Sequence, residues 1–243
     1  MYIAFLILIA SAFPIQSHSA CADDLGVPIS PYIQSEYQML TRFRHSIDNV
    51  FAGRKSVKLF TGGKTREVCE SRLPPAEKRL LPDFLNIPQF RQFWEHLGTS
   101  DSDGNVLGLQ IDVVAGKVEE HEMLTTSNGA WHVDGAAEAV FIYQVSEPDG
   151  TAPTQFLLPF DGEIDASMVT SGSLDNLLAP MKLNLYEARS GDVILITKST
   201  IHRSTAAREK GRRYFLRWSF FRQKPFYYLL YDYHSITFEE PDR

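Results

Sequence analysis

The chain has 243 residues, 44% of them hydrophobic and 22% charged, with a formal net charge of -6. That is enough apolar sequence for one large domain or an unequal pair, and the bulk charge gives no ground for a nucleic-acid binder. No apolar run reaches the roughly 18 to 20 residues that a membrane-spanning helix needs.

The first twenty residues, MYIAFLILIASAFPIQSHSA, carry no charged side chain and run apolar from Tyr2 to Ile15. This is the length of an export signal's central region, and Ser17, Ser19 and Ala20 supply small residues near a cleavage point. No Lys or Arg follows Met1, so the alternative is a buried N-terminal strand or helix in a cytoplasmic chain. Cys21 and Cys69 are the only cysteines. In an exported chain they can form one disulfide; otherwise they are unrelated thiols, and they do not build a metal site.

Residues 21–105 read as a helical and mixed support region. Over residues 30–53, Ile33, Tyr37, Leu40, Phe43, Ile47 and Val50 recur at steps of three and four, which predicts an amphipathic helix closed by Gly53. KSVKLF is strand-like around Val57 to Phe60 and is followed by a turn at Gly62-Gly63. Residues 74–98 predict one or two short helices interrupted by Pro82 and Pro88. Their role is to cover a sheet. SDSDGN, residues 100–105, has too few carboxylates for a calcium loop and reads as a turn.

From Val106 to the C-terminus the pattern changes to short strands: VLGLQIDVV, HEMLTT, EAVFIYQV, TQFLLP, MKLNLYE, DVILIT, RYFLRWSFF and FYYLLYDY. Gly, Pro and Asp turns separate them and leave little room for crossover helices, so the expected fold is mainly β, an antiparallel sandwich or jelly roll over residues 106–243. Phe226, Tyr227, Tyr228, Tyr231 and Tyr233 suggest an edge or interface strand near the C-terminus.

Within this region lies WHVDG, residues 131–135. His132 and Asp134 alternate with Val133, so on a strand both side chains share a face. An imidazole and a carboxylate need a third ligand, and GDVILITKSTIHRS offers His202 at the end of an extended segment. Two histidines and one carboxylate leave half of an octahedral shell open, as non-haem Fe(II) oxygenases require. The basic run that follows, Arg203 to Arg217, includes Arg208, Lys210 and Arg212. It ends in a period-two pattern in which Arg213 and Arg217 share the face opposite Tyr214, Leu216, Trp218 and Phe220. Guanidinium groups buried in this way require an anionic partner, for which a dicarboxylate is suited.

The set His132-x-Asp134, His202, Arg213 and Arg217 resembles the Fe(II)- and 2-oxoglutarate-dependent dioxygenases, which fold as a double-stranded β-helix. The resemblance covers about Val106 to Phe220. In the taurine dioxygenase and phytanoyl-CoA hydroxylase branches, an arginine about eleven residues after the last histidine holds the distal carboxylate of 2-oxoglutarate; Arg213 stands eleven after His202. The resemblance implies that role for Arg213, contact with the carboxylate next to the metal for Arg217, and a cosubstrate contact for Thr154, with Thr151 as its competitor. The shorter spacing from Asp134 to His202 departs from taurine dioxygenase and is closer to that of prolyl hydroxylases, which commonly use lysine where Arg213 stands, so branch and substrate stay open.

The implied reaction couples decarboxylation of 2-oxoglutarate to succinate and CO2 with O2-dependent oxidation of an unactivated C–H bond, most often hydroxylation. Its substrate would be a small molecule or an amino-acid or peptide side chain. Trp131, Asn128, Gln110 and His121 are candidates to line the pocket or to serve structure. The alternatives are a cupin-like metalloenzyme working without 2-oxoglutarate, and a non-catalytic jelly-roll module that binds an acidic ligand.

Overall fold

Apolar and polar side chains alternate along three neighbouring strands, and this alternation gives the main sheet two different faces. The computed structural model describes residues 38–44, 55–60, 70, 73–123, 129–134, 137–158, 174–180, 182–197, 200–223 and 234–237. The expected export signal, Cys21, Cys69, the Gly62-Gly63 turn, Asn128 and the aromatic run at residues 226–233 lie outside them. The strands are β1 (Gln38–Arg42), β2 (Lys55–Phe60), β3 (Val106–Val118), β4 (Ala139–Glu147), β5 (Thr154–Leu157), β6 (Leu185–Glu187), β7 (Asp192–Ile196), β8 (His202–Ser204), β9 (Gly211–Gln223) and β10 (His234–Thr237). The helices among the described residues are α1 (Pro75–Phe84), α2 (Pro88–Glu95) and α3 (Leu174–Leu178), so the chain is mainly β. None is long and apolar enough to cross a membrane.

A sheet of seven strands runs in the order β1-β7-β4-β9-β3-β2-β10, and a smaller one runs β6-β5-β8. All the pairings are antiparallel. One face of the large sheet presents Leu109, Ile111 and Val113 of β3, Phe141 and Tyr143 of β4, and Leu216, Trp218 and Phe220 of β9 to α1 and α2. Phe84 and Phe90 reach the sheet from the helices, with ring centroids 5.5 and 5.3 Å from Trp218. Each aromatic buried there contributes roughly 1.5–3 kcal/mol by removal from water, which is why the helices stay on this face. Pro88 opens α2 at a position that needs no N–H partner, and Pro82 sits in the last turn of α1.

The opposite face looks toward the small sheet. Val140, Ile142, Ile194 and Ile196 meet Phe156 of β5 there, forming a second core. Because β5 and β8 alternate as well, Thr154, Phe156, His202 and Ser204 point inward. Gln155 and Arg203, hydrogen-bonded at 2.8 Å, lie on the outer face.

Two expectations fail locally. Residues 38–42 are a strand and not part of a helix: β1 pairs with β7 from Gln38↔Leu195 to Arg42↔Asp192. The edge of β7 supplies backbone partners, and Leu40 and Phe43 still reach the core, so tertiary pairing overrides the helical period. Gly191 makes this possible. Its φ of 87° suits glycine, and a side chain there would collide with the Phe43 carbonyl. The strand expected at HEMLTT is also absent at 121–123. Glu119 to Glu122 form a turn, and His121 has φ 67° as its N–H donates to the Ala207 carbonyl at 2.7 Å. Residues 101–105 form the expected turn, in which Asp101 Oδ1 accepts from the N–H groups of Asp103 and Asn105 at 3.0 and 2.9 Å.

Candidate metal centre

His132 and His202 lie directly opposite each other in a short antiparallel bridge between the sheets. The N–H of each donates to the carbonyl of the other, at 3.0 and 2.9 Å, and the rings stand 4.4 Å apart. Each imidazole is also oriented by its own chain. Nδ1 of His132 is 2.9 Å from the Ala130 carbonyl, and Nδ1 of His202 is 3.0 Å from the Thr200 carbonyl. A carbonyl only accepts, so both protons reside on Nδ1 and both Nε2 lone pairs are left for a cation.

Asp134 completes the group. Its Oδ2 is 3.8 Å from His202 Nε2, and the ligand atoms of the three residues all lie within 4.8 Å of one another. Burial, together with the neighbouring His132, lowers His202 to about 4 despite Asp134, so it is neutral near pH 7. Burial alone would raise Asp134, but its neighbours His202, Arg217 and His132 outweigh it and hold the carboxyl below its ordinary range. Two imidazole lone pairs and an ionised carboxylate thus converge as acceptors, and this nitrogen and oxygen set suits a divalent metal such as Fe(II).

Arg217 sets the position of Asp134. Its Nη1 donates to Oδ1 and Oδ2 of Asp134 at 3.3 and 3.1 Å, while Nε and Nη2 reach Asp112 Oδ2 at 3.0 and 2.6 Å. Arg217 thus contacts two carboxylates of the chain, Asp112 and Asp134. Asp112 is the cross-strand partner of Arg217, and Gln110 donates to both of its oxygens at 2.9 and 2.8 Å. Gln110 thus supports this network.

Arg213 occupies a different environment. It is only 1% exposed, and burial lowers its guanidinium to about 10. Among the described residues no carboxylate pairs with it. Its Nη2 donates to Thr154 Oγ1 at 3.2 Å and to Gln144 Oε1 at 3.4 Å, its Nε lacks a partner, and its charge lies 5.0 Å over the Phe215 ring. Of the two competing threonines, Thr154 reaches this pocket; Thr151 instead donates to the Pro148 carbonyl at 2.6 Å.

The other predicted positions separate cleanly. Trp131 is buried with Leu157, Leu174 and Ile201, under the guanidinium of Arg203 at 4.3 Å. His121 is 83% exposed at its side chain, away from the site. The basic run disperses into local pairs: Arg208 with Glu187, Lys210 with Glu119 at 3.1 Å and Arg212 with Glu147 at 2.6 Å. Asp112 and Gln144 escaped the sequence reading. Their signal was polar residues set inside two apolar strand runs, Gln110 and Asp112 in LQIDVV and Gln144 in VFIYQV.

No family model matches the chain, and no curated protein matches its sequence. Among solved structures, an IDO from Bacillus thuringiensis shares 12% identity over 73% of this chain and 81% of that one, with a TM-score of 0.41. A 2OG-Fe(II) oxygenase family oxidoreductase from Burkholderia pseudomallei shares 13% over 61% of this chain and 58% of that one, at 0.34. The non-haem alpha-ketoglutarate-dependent carbocyclase SnoK of nogalamycin biosynthesis shares 10% over 82% and 85%, at 0.39. The structural neighbours thus include members of the 2OG-Fe(II) oxygenase family.

Proposed function

We propose that the chain is a non-haem Fe(II)- and 2-oxoglutarate-dependent oxygenase, a hydroxylase, with its two sheets as the halves of a double-stranded β-helix. One observation carries this reading: Arg213 is a buried guanidinium without a carboxylate among the described residues, on the same inner face as the convergent His132, Asp134 and His202. An uncompensated buried charge is costly, and a ligand that brings the missing charge explains it.

Spacing and charge both favour a dicarboxylate. Thr154, beside Arg213, and Phe156, stacked on His202 at 5.9 Å, are two residues apart on β5, or about 7 Å along a strand. A five-carbon diacid spans about that distance. Counted together, Asp112, Asp134, Arg213 and Arg217 carry no net charge although both aspartates pair with Arg217, so a divalent metal leaves a charge of two, which a dianion neutralises.

His132, Asp134 and His202 would hold the metal, which supplies O2 activation and chelation of the keto acid when bound. Arg213 and Thr154 bind the distal carboxylate and fix the direction in which the keto acid enters. Arg217 and Asp112 keep Asp134 ionised and oriented. The inter-sheet core of Val140, Ile142, Phe156 and Ile194 forms a dry, packed floor between the sheets. The substrate to be oxidised is a small molecule or an amino-acid or peptide side chain.

The test is an anaerobic titration of the metal-free chain with Fe(II) and then 2-oxoglutarate, monitoring the weak visible charge-transfer band of an iron-chelated keto acid. The band is expected in the wild-type chain and at much higher 2-oxoglutarate in Arg213→Ala. Iron binding without the band would point to a metalloenzyme that works without the keto acid. No metal binding would leave a non-catalytic module.

A further inference from the structure

Arg213 meets two polar side chains in its pocket, and neither carries charge. Gln144 lies on β4, 1% exposed, with its amide fixed at both ends. Nε2 donates to the Ala188 carbonyl at 2.9 Å, while Oε1 accepts from Thr154 Oγ1 at 3.0 Å and from Arg213 Nη2 at 3.4 Å. The carbonyl accepts only and the guanidinium donates only, so a flipped amide would break both contacts. The position of Oε1 is therefore settled by its neighbours.

Glutamate has almost the same shape. Placed here, its carboxylate would stand within hydrogen-bond distance of Arg213 in a dry pocket, where ion pairs are strong and a tethered partner needs no association entropy. An incoming carboxylate would then have to displace a pair already formed. We propose that Gln144 is a specificity-determining residue: a neutral acceptor where a carboxylate would fit, it keeps the charge of Arg213 open to the distal carboxylate of the cosubstrate. The inference rests on the 2-oxoglutarate reading and deepens it. It also gives Thr154 its working state. The hydroxyl donates to Gln144 in the free pocket and can turn its proton to a bound carboxylate, at the loss of one neutral hydrogen bond.

Calorimetric titration of the Mn(II)-loaded full-length chain tests this at mildly alkaline pH, where a glutamate beside Arg213 is ionised. Wild type, Gln144→Glu and Gln144→Met are compared with 2-oxoglutarate and with 2-oxobutyrate, which has the same keto-acid head and no distal carboxylate. Both variants deprive the Ala188 carbonyl of its donor, and the binding of 2-oxobutyrate reports any disturbance that this causes at the keto-acid head. Gln144→Glu is expected to weaken 2-oxoglutarate about 100-fold or more and Gln144→Met less than about tenfold. The affinity for 2-oxobutyrate is expected to be the same in all three, and metal-free Gln144→Glu to melt no lower than Gln144→Met. Wild-type affinity for 2-oxoglutarate in Gln144→Glu, or weaker binding in Gln144→Met than in Gln144→Glu, would overturn the role given to Gln144 and leave the cosubstrate reading standing. Failure of the wild-type chain to bind either keto acid would overturn both.

Discussion

Arg213→Met is expected to stabilise the metal-free chain and to weaken strongly the response of the metal-loaded chain to 2-oxoglutarate. Burial lowers the guanidinium from its ordinary value to about 10, which by linkage disfavours the charged form in the folded state by roughly 3 kcal/mol. Since the folded value lies below the unfolded one, that cost is fully present below pH 10 and fades as pH rises through both values. Methionine also removes the two hydrogen bonds, 3.4 and 3.2 Å long, worth about 1 kcal/mol each. The balance is a gain of about 1 kcal/mol for the variant. With metal present in both, 2-oxoglutarate at a hundredfold excess over the wild-type Kd adds about 2.7 kcal/mol to the wild type and little to the variant, so the order of stabilities inverts. Urea unfolding followed by tryptophan fluorescence, with and without metal and cosubstrate, measures both terms. An Arg213→Met chain that is less stable than wild type by about 2 kcal/mol and equally protected by 2-oxoglutarate would refute the reasoning, since Arg213 would then be an ordinary structural residue.

Removing the support of Asp134 by Arg217→Met is expected to weaken metal binding about 10- to 100-fold, with partial rescue in Arg217→Lys; competition against a chelating dye reads both. Asp134→Ala should abolish stoichiometric metal binding outright in the same assay. The metal-free chain is expected to lose stability as pH falls from about 6.5 to about 4: unfolded His202 takes up a proton near 6.5, whereas the folded one, held down by burial, does so only near 4. Urea midpoints across that range should show a slope that His202→Asn reduces. Gly191→Ala is expected to destabilise the fold by about 1–3 kcal/mol, because alanine strains a φ of 87° and its Cβ meets the Phe43 carbonyl. Metal affinity should change little, since the clash is at the join of β1 and β7 and no metal ligand takes part.

Much of the site was legible because metal ligation and anion binding demand residue types that stand out in apolar strands. His132, Asp134, His202 and Arg213 could be picked out from alternation and spacing, and the structure brings the first three within ligand distance. Arg217 was legible as a buried guanidinium but not in its partners. Asp112 pairs with it across β3 and β9, more than a hundred residues away in sequence, and no local pattern encodes that register. Gln144 was hidden for a related reason, since its meaning depends on lying beside Thr154 and Arg213 from two other strands. Over residues 38–42 the helical expectation misled because Leu40 and Phe43 fit a helical period and an edge strand equally well.

The sequence by itself determined the alternating strands, the presence of short helices within residues 74–98 and the residue types of the site, because periodicity and side-chain chemistry are local properties. Only the tertiary structure decided which strands are neighbours, that Arg217 meets Asp112 and Asp134, and that Arg213 meets no carboxylate among the described residues. Strand register is a long-range choice fixed by core packing, and the charge balance of the pocket follows from that register.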